Sequence, residues 1–166
     1  MPARPTFSEI LELPSSFETS VLPPFIDANG HMNIRHYVDV GGAATNSICE
    51  DVGINDGYRG SRRMGVFTAE QHLAYFSEMH LGEAISAHVR VLDRSGTAVH
   101  MMAMILDRAN DRLACTFETL LVHVNMDTRR PTPLPQDVAK RLDRHLASDR
   151  AIRWPAPVSG ALGIRR

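Results

Sequence analysis

The longest run of apolar residues at helical spacing is Ile34, Tyr37, Val38, Gly41, Ala44, Thr45, Ile48, Cys49 and Val52. These positions share one face of an α-helix, with Asn33 suited to its N-cap and Gly53 to its stop. Gly41 and Gly42 inside it cost roughly 1 kcal/mol each against alanine, which makes sense if the helix lies very close to a sheet. Ahead of it, residues 1–15 are mixed and end at Pro14, so they read as a loose arm. Phe17, Thr19 and Val21 alternate as in a short strand, stopped by Pro23 and Pro24. The segment from Phe25 to Asn33 is rich in turn formers.

Residues 54–63 are polar and glycine-containing, hence a loop. Four strand-like stretches follow. In residues 66–76, Thr68, Glu70 and His72 fall on one face, with Phe67, Leu73 and Tyr75 on the other. Residues 84–92 carry Ile85, Val89 and Val91 in register, and residues 98–106 carry Val99, Met101 and Ile105. Residues 93–96 and 107–112 are turns. Residues 113–124 are apolar on nearly both faces, which predicts an interior strand. After a basic link at 129–133, a helix is predicted over 135–146, with Val138, Leu142 and Leu146 on one side and Pro135 in its first turn. The remainder, including Trp154, reads as irregular.

A strand, a long helix and four antiparallel strands describe an α+β layout in which a sheet lies on one helix. The open edge of five strands invites a second copy of the chain. The 166 residues suit a single domain, 1–166, with an arm at 1–15 and a C-terminal helix and tail at 134–166. A net charge of −1 gives no electrostatic case for nucleic acid or an anionic membrane. The basic residues are nearly all arginine, Lys140 being the only lysine. No stretch reaches the ~20 apolar residues of a membrane span, and the start lacks a signal-peptide pattern. Cys49 and Cys115 lie in apolar patterns and read as buried thiols of a reducing compartment. A cytoplasmic protein is the expectation.

The segment Asp27-Ala28-Asn29-Gly30-His31-Met32-Asn33, followed by Tyr37, resembles the signature of hotdog-fold acyl-CoA thioesterases, in the branch related to 4-hydroxybenzoyl-CoA thioesterase. That signature is an Asp, then Gly-His-Met/Val-Asn, then an aromatic residue four positions on, where the central helix begins. Residues 17–133 fit the family's order of elements. The resemblance implies a hotdog fold: an antiparallel five-stranded sheet wrapped around one long helix. A second stretch, Phe67-Thr68-x-Glu70-x-His72-x-x-Tyr75-x-x-Glu78 before Gly82, is similar to a subgroup that hydrolyses betainyl-CoA in carnitine breakdown.

Thioester hydrolysis needs a nucleophile or base and donors for the oxyanion. Asp27 can attack directly or activate water. The resemblance implies that Gly30 lets the backbone approach the carbonyl, with the Gly30 and His31 amides as donors at a helix start. Asn29 or His31 can orient the carboxylate or the carbonyl. The family's site lies between subunits, so Thr68 and Glu70 are expected from a partner's second strand, with Glu70 as second-choice base or as counter-charge to a cationic acyl group. Asn33 and Tyr37 belong to the substrate-binding set. Arg129 with Arg130, or Arg62 with Arg63, are candidates to grip CoA phosphates.

Taken alone, residues 27–30 are a turn, the arginine pairs are solvated charge, and His72 is a strand-face histidine. His31 and His36 have the wrong spacing for one helix face and no His-Glu-x-x-His occurs, so no metal is expected. No cofactor is expected beyond the CoA of the substrate, and the expected assembly is a homodimer or a dimer of dimers. Two rival functions use the same fold. A hotdog enoyl-CoA hydratase carries Asp-x-Asn-Pro-x-His, whereas Gly30 here replaces the proline and His31 comes one position early. A non-catalytic acyl-CoA-binding module would lack the carboxylate that Asp27 supplies.

Overall fold

The computed structural model describes residues 4–165. Its elements are α1 (Phe7–Ile10), β1 (Phe17–Ser20), α2 (Ile34–Asp51), α3 (Asp56–Arg62), β2 (Met64–Tyr75), β3 (Ala84–Arg94), β4 (Ala98–Asp107), β5 (Arg112–Asn125), β6 (Arg130–Pro131) and α4 (Gln136–Arg150). The sheet is antiparallel in the order β1-β3-β4-β5-β2, and the two-residue β6 is added on β5. The long helix α2 packs on one face of this sheet, as the hotdog fold requires. Among the described residues no helix is long and apolar enough to cross a membrane.

Two local expectations are corrected. Residues 54–63 contain α3, whose N-cap Asn55 accepts the Tyr58 amide at 3.0 Å; Tyr58 then anchors α3 by a 2.7 Å hydrogen bond to buried His123. The described part of the arm is not loose. Thr6 and Glu9 form a reciprocal capping box around α1, and Ile10 and Leu13 are buried.

The core has two layers. On the α2 side, Tyr37, Val40, Ala44 and Cys49 pack against Val91, Met101, Ile105 and Phe117. Gly41 explains the close approach, because a Cβ placed there would stand 2.4 Å from Phe117 Cγ. Its neighbour Gly42 has nothing within 4 Å of that position, so the close approach rests on Gly41 alone. Cys49 and Cys115 are buried, and burial pushes their thiols up to about 11 and about 12, which makes both unreactive at neutral pH.

On the opposite face, Met102, Met104 and Leu106 are covered by Ile10, Leu13 and Trp154. The tail after α4 is irregular, as its sequence suggests, yet it forms a packed layer over this face. Arg90 holds it down, donating to the Trp154 carbonyl at 2.9 Å and stacking on the Trp154 ring. Glu118, 1% exposed, accepts from His100 at 2.8 Å and from the Ser159 amide at 2.8 Å.

Burial alone would raise the Glu118 carboxyl, but the bonds from His100 and Ser159 outweigh it and hold the group below its ordinary range. A depressed carboxylate stabilises the fold above the usual glutamate range, and that contribution is lost as pH falls through the lowered value. Glu118→Ala is expected to cost about 2–3 kcal/mol, because it strands His100 and the Ser159 amide. Calorimetry reads the loss, and limited proteolysis reads earlier release of the tail. Unchanged melting and unchanged cleavage would contradict the tether.

Candidate active site

The segment ahead of α2 is a closed turn. Ile26 and Met32 form an isolated bridge, and the Asn33 amide donates to Phe25 O at 2.8 Å. Inside it the Asp27 amide donates to His31 O at 3.2 Å and the Gly30 amide to Asp27 O at 3.0 Å. Gly30 has φ +81, which an L side chain rarely adopts, so the turn itself calls for glycine. The helix starts only at Ile34, where the Asn33 side chain caps the Arg35 amide at 3.1 Å.

This geometry corrects the expected oxyanion donors. The Gly30 amide is used within the turn and does not belong to a helix start. The His31 amide has no acceptor among the described residues, and neither have the Ala28 and Ile34 amides on either side of it.

The Asp27 carboxylate is fixed at both oxygens. Oδ1 accepts the Asn29 amide at 2.8 Å and Oδ2 accepts Asn33 Nδ2 at 3.0 Å. The Asn29 amide is the main cause that holds this carboxyl below the usual aspartate range; partial burial opposes it, and Asn33 and the His31 charge add to it. The result is an oriented anion at the base of the buried helix. Asn29 acts on it through its backbone, and Asn33 serves as both carboxylate partner and helix cap.

A second segment meets this turn, one the sequence reading left out of the site. The Met32 amide donates to Met79 O at 2.8 Å. That bond brings Glu78 to 3.9 Å from His31 Nε2, with His80 3.3 Å from Glu78 on its other side. Tyr37 is buried, which pushes its hydroxyl up to about 12. Its ring meets Tyr75 edge-on with centroids 5.2 Å apart. Tyr75 and Glu78 carried a signal as the end of the second family-like stretch, and Tyr37 as a substrate-binding candidate, whereas His80 carried none.

Thr68 and Glu70 do not share a face. A bulge between them shifts the register. Thr68 pairs with Leu121 of the α2-side core, whereas Glu70 pairs with Leu120 and approaches the tail residue Arg165 at 3.8 Å.

The arginines are also redistributed. Arg62 is bound bidentately by Asp137 and Arg63 by Asp127. Arg129 lies over Phe67, and neither it nor Arg130 has a carboxylate partner among the described residues. All four lie at the Met64 end of β2, while Tyr75 and the Asp27 turn lie at the other. Twelve extended residues separate these ends by about 35 Å. In one chain the Asp27 turn lies at the surface, with Ala28, Asn29 and Gly30 exposed and Asp27 half-buried.

A turn-borne carboxylate beside a buried helix wrapped by an antiparallel sheet defines a class. The chain belongs to the thioesterase-like superfamily, whose family model matches residues 21–142. This places it among thioester hydrolases. A betainyl-CoA thioesterase of Pseudomonas aeruginosa is 28% identical over 151 residues, covering 90% of this chain and 94% of that protein. The L-carnitine dehydrogenase/betainyl-CoA thioesterase of Rhizobium meliloti is 25% identical over 125 residues, and the match covers 75% of this chain but only 25% of that longer protein. Among solved structures, a hypothetical protein of Staphylococcus aureus in complex with CoA superposes with a TM-score of 0.82 at 23% identity, covering 92% of this chain and 97% of that one. A 1,4-dihydroxy-2-naphthoyl-CoA thioesterase from Synechocystis follows the same fold, with a TM-score of 0.69 at 15% identity over 78% of this chain and 95% of that one.

Proposed function

We propose that this chain hydrolyses a small or medium acyl-CoA to the free acid and CoA, with the Asp27 carboxylate as the reacting group. The observation that carries the reading is the Asp27 anion held at both oxygens in the turn before α2. As general base, Asp27 takes a proton from water, and the resulting hydroxide adds to the thioester carbon. As nucleophile, Asp27 adds directly and forms an anhydride that water then cleaves. In both routes the C–S bond breaks, CoA leaves as thiolate and takes up a proton. This reading assigns the oxyanion to the His31 amide, which has no acceptor among the described residues, and one such donor is typically worth ~3 kcal/mol of barrier.

The reading includes a second copy. β2 is an edge strand whose middle, residues 67–71, is exposed. Antiparallel pairing of two such edges about that middle puts the Met64 end of one chain beside the Asp27 turn of the other. It thereby brings Arg129 and Arg130 of a second copy toward the site, which one chain's own arginines cannot reach. Exposed Ile34 and Val38 on α2, together with Tyr75, supply apolar surface beside the turn for that copy to cover.

A second reading of the acyl group is betaine. It is favoured by the near end-to-end match to a protein bearing the name betainyl-CoA thioesterase.

The test is thiol release over a panel of betainyl-, aromatic and medium-chain acyl-CoAs, with light scattering on the same samples. Thiol release by a species of at least twice the 18.4 kDa chain mass is expected. Binding without thiol release would favour the acyl-CoA-binding module, and loss of enoyl absorbance without thiol would favour a hydratase. A fully active monomer would overturn the two-copy site.

A further inference from the structure

The tail crosses the face of the sheet opposite α2 and leaves a groove between itself and the edge strand β2. Along β2, Leu73 packs on the α2-side core and Tyr75 meets Tyr37, so the alternate residues His72 and Ala74 face the tail. With Phe76 they form one wall, and Pro157 and Val158 form the other. The tail is pinned on both sides of this stretch, by Arg90 at the Trp154 carbonyl and by Glu118 at the Ser159 amide, which keeps the groove open. Its volume is about 570 Å³, the size of a small-molecule site.

Two polar side chains at this groove have no hydrogen-bond or carboxylate partner among the described residues. Arg4 lies at the rim, its guanidinium 4.7 Å from the centre of the Phe76 ring. His72 stands opposite Glu118 in the strand register but makes no bond to it. The two Glu118 oxygens accept instead from His100 and from the Ser159 amide. Glu70, the other carboxylate of β2, is approached by Arg165. Arg4 and His72 are thus left as N–H donors beside apolar walls. A bare anion would use the donors and not the walls, and an uncharged chain the walls and not the donors.

We propose that this groove binds a free carboxylic acid with an apolar chain. The chain lies between Phe76 and Val158, and the carboxylate meets Arg4 and His72. This is the class of product that thioester hydrolysis releases, held on the face of the sheet that α2 does not cover. The proposal stands apart from hydrolysis at Asp27, since its readout is binding.

Titration calorimetry on the full chain with octanoate, and with octanol as its uncharged counterpart, tests this. Octanoate is expected to bind about tenfold more tightly than octanol. Arg4→Gln is expected to weaken octanoate about tenfold and to leave octanol unchanged. Ala74→Trp fills the groove and is expected to abolish binding of both, with thiol release kept at the wild-type level. No octanoate binding, octanoate no tighter than octanol, or an affinity that a folded Arg4→Gln leaves unchanged overturns the proposal. Octanoate binding that persists in a folded Ala74→Trp protein places the acid elsewhere and overturns it too.

Discussion

Asp27→Ala is expected to lower kcat by roughly a thousandfold, the range that a positioned base or nucleophile supplies. The fold should survive, because the substitution removes two surface hydrogen bonds, from the Asn29 amide and Asn33 Nδ2. Those are worth about 1 kcal/mol together with their partners' resolvation. Asp27→Asn should be as inactive, since an amide neither attacks nor accepts the proton. The same carboxylate sets an acid limb. Its pKa is held down chiefly by the Asn29 amide, so it stays ionised until pH falls below the usual aspartate range. On this account kcat/KM has no carboxylate limb from about pH 4 to pH 8, and the rate is lost only on the acid side. Thiol release across pH, with melting recorded alongside, checks both statements. A stable Asp27→Ala protein with wild-type turnover would remove Asp27 from the reaction.

Gly41→Ala carries the largest expected loss of stability from a single methyl group. The new Cβ would meet Phe117 Cγ at 2.4 Å, its Cβ at 2.7 Å and its Cδ1 at 2.8 Å. Phe117 is 1% exposed in the centre of the core, so it cannot swing aside. Overpacking costs about 1–3 kcal/mol or more, which exceeds the roughly 1 kcal/mol that alanine returns to a helix. Gly42→Ala meets no atom within 4 Å and keeps only the gain. The pair should therefore move melting in opposite directions at equal protein concentration. Equal shifts from both would show that α2 does not approach β5 as closely as described.

The parts of this molecule that its sequence displays are those with a local period or a local cap. The stripe from Ile34 to Val52 and the Asn33 cap follow from one turn of helix to the next. The alternation of β3 and β4 is equally local. α3 escaped because Gly57 and Gly60 make its seven residues look like a loop, and because its anchor, Tyr58 on His123, is 65 residues away in sequence. The tail escaped for a similar reason: Trp154 and Ser159 gain order from Arg90 and Glu118, not from their neighbours.

The bulge in β2 left no composition mark, yet one extra residue was enough to send Glu70 to the face opposite Thr68. At the site, the turn from Asp27 to Asn33 was legible as turn chemistry joined to a family motif. Glu78 was visible in the second family-like stretch but not as a neighbour of that turn, since a single bond between Met32 and Met79 brings it there. Arg62 and Arg63 read as open cations because their partners Asp137 and Asp127 lie 75 and 64 residues away.

Catalysis by Asp27 requires that a bound thioester place its carbonyl beside that side chain. The direct measurement is a crystal structure of the Asp27→Asn protein grown with an uncleaved acyl-CoA. The thioester carbon is expected about 3–3.5 Å from the side chain at position 27, the reach of a reacting pair, or one water farther out, with the carbonyl oxygen toward the His31 amide. The groove between tail and sheet is lined by His72, Phe76, Val158 and Ser159, and an acyl chain of the thioester seated there instead would contradict it.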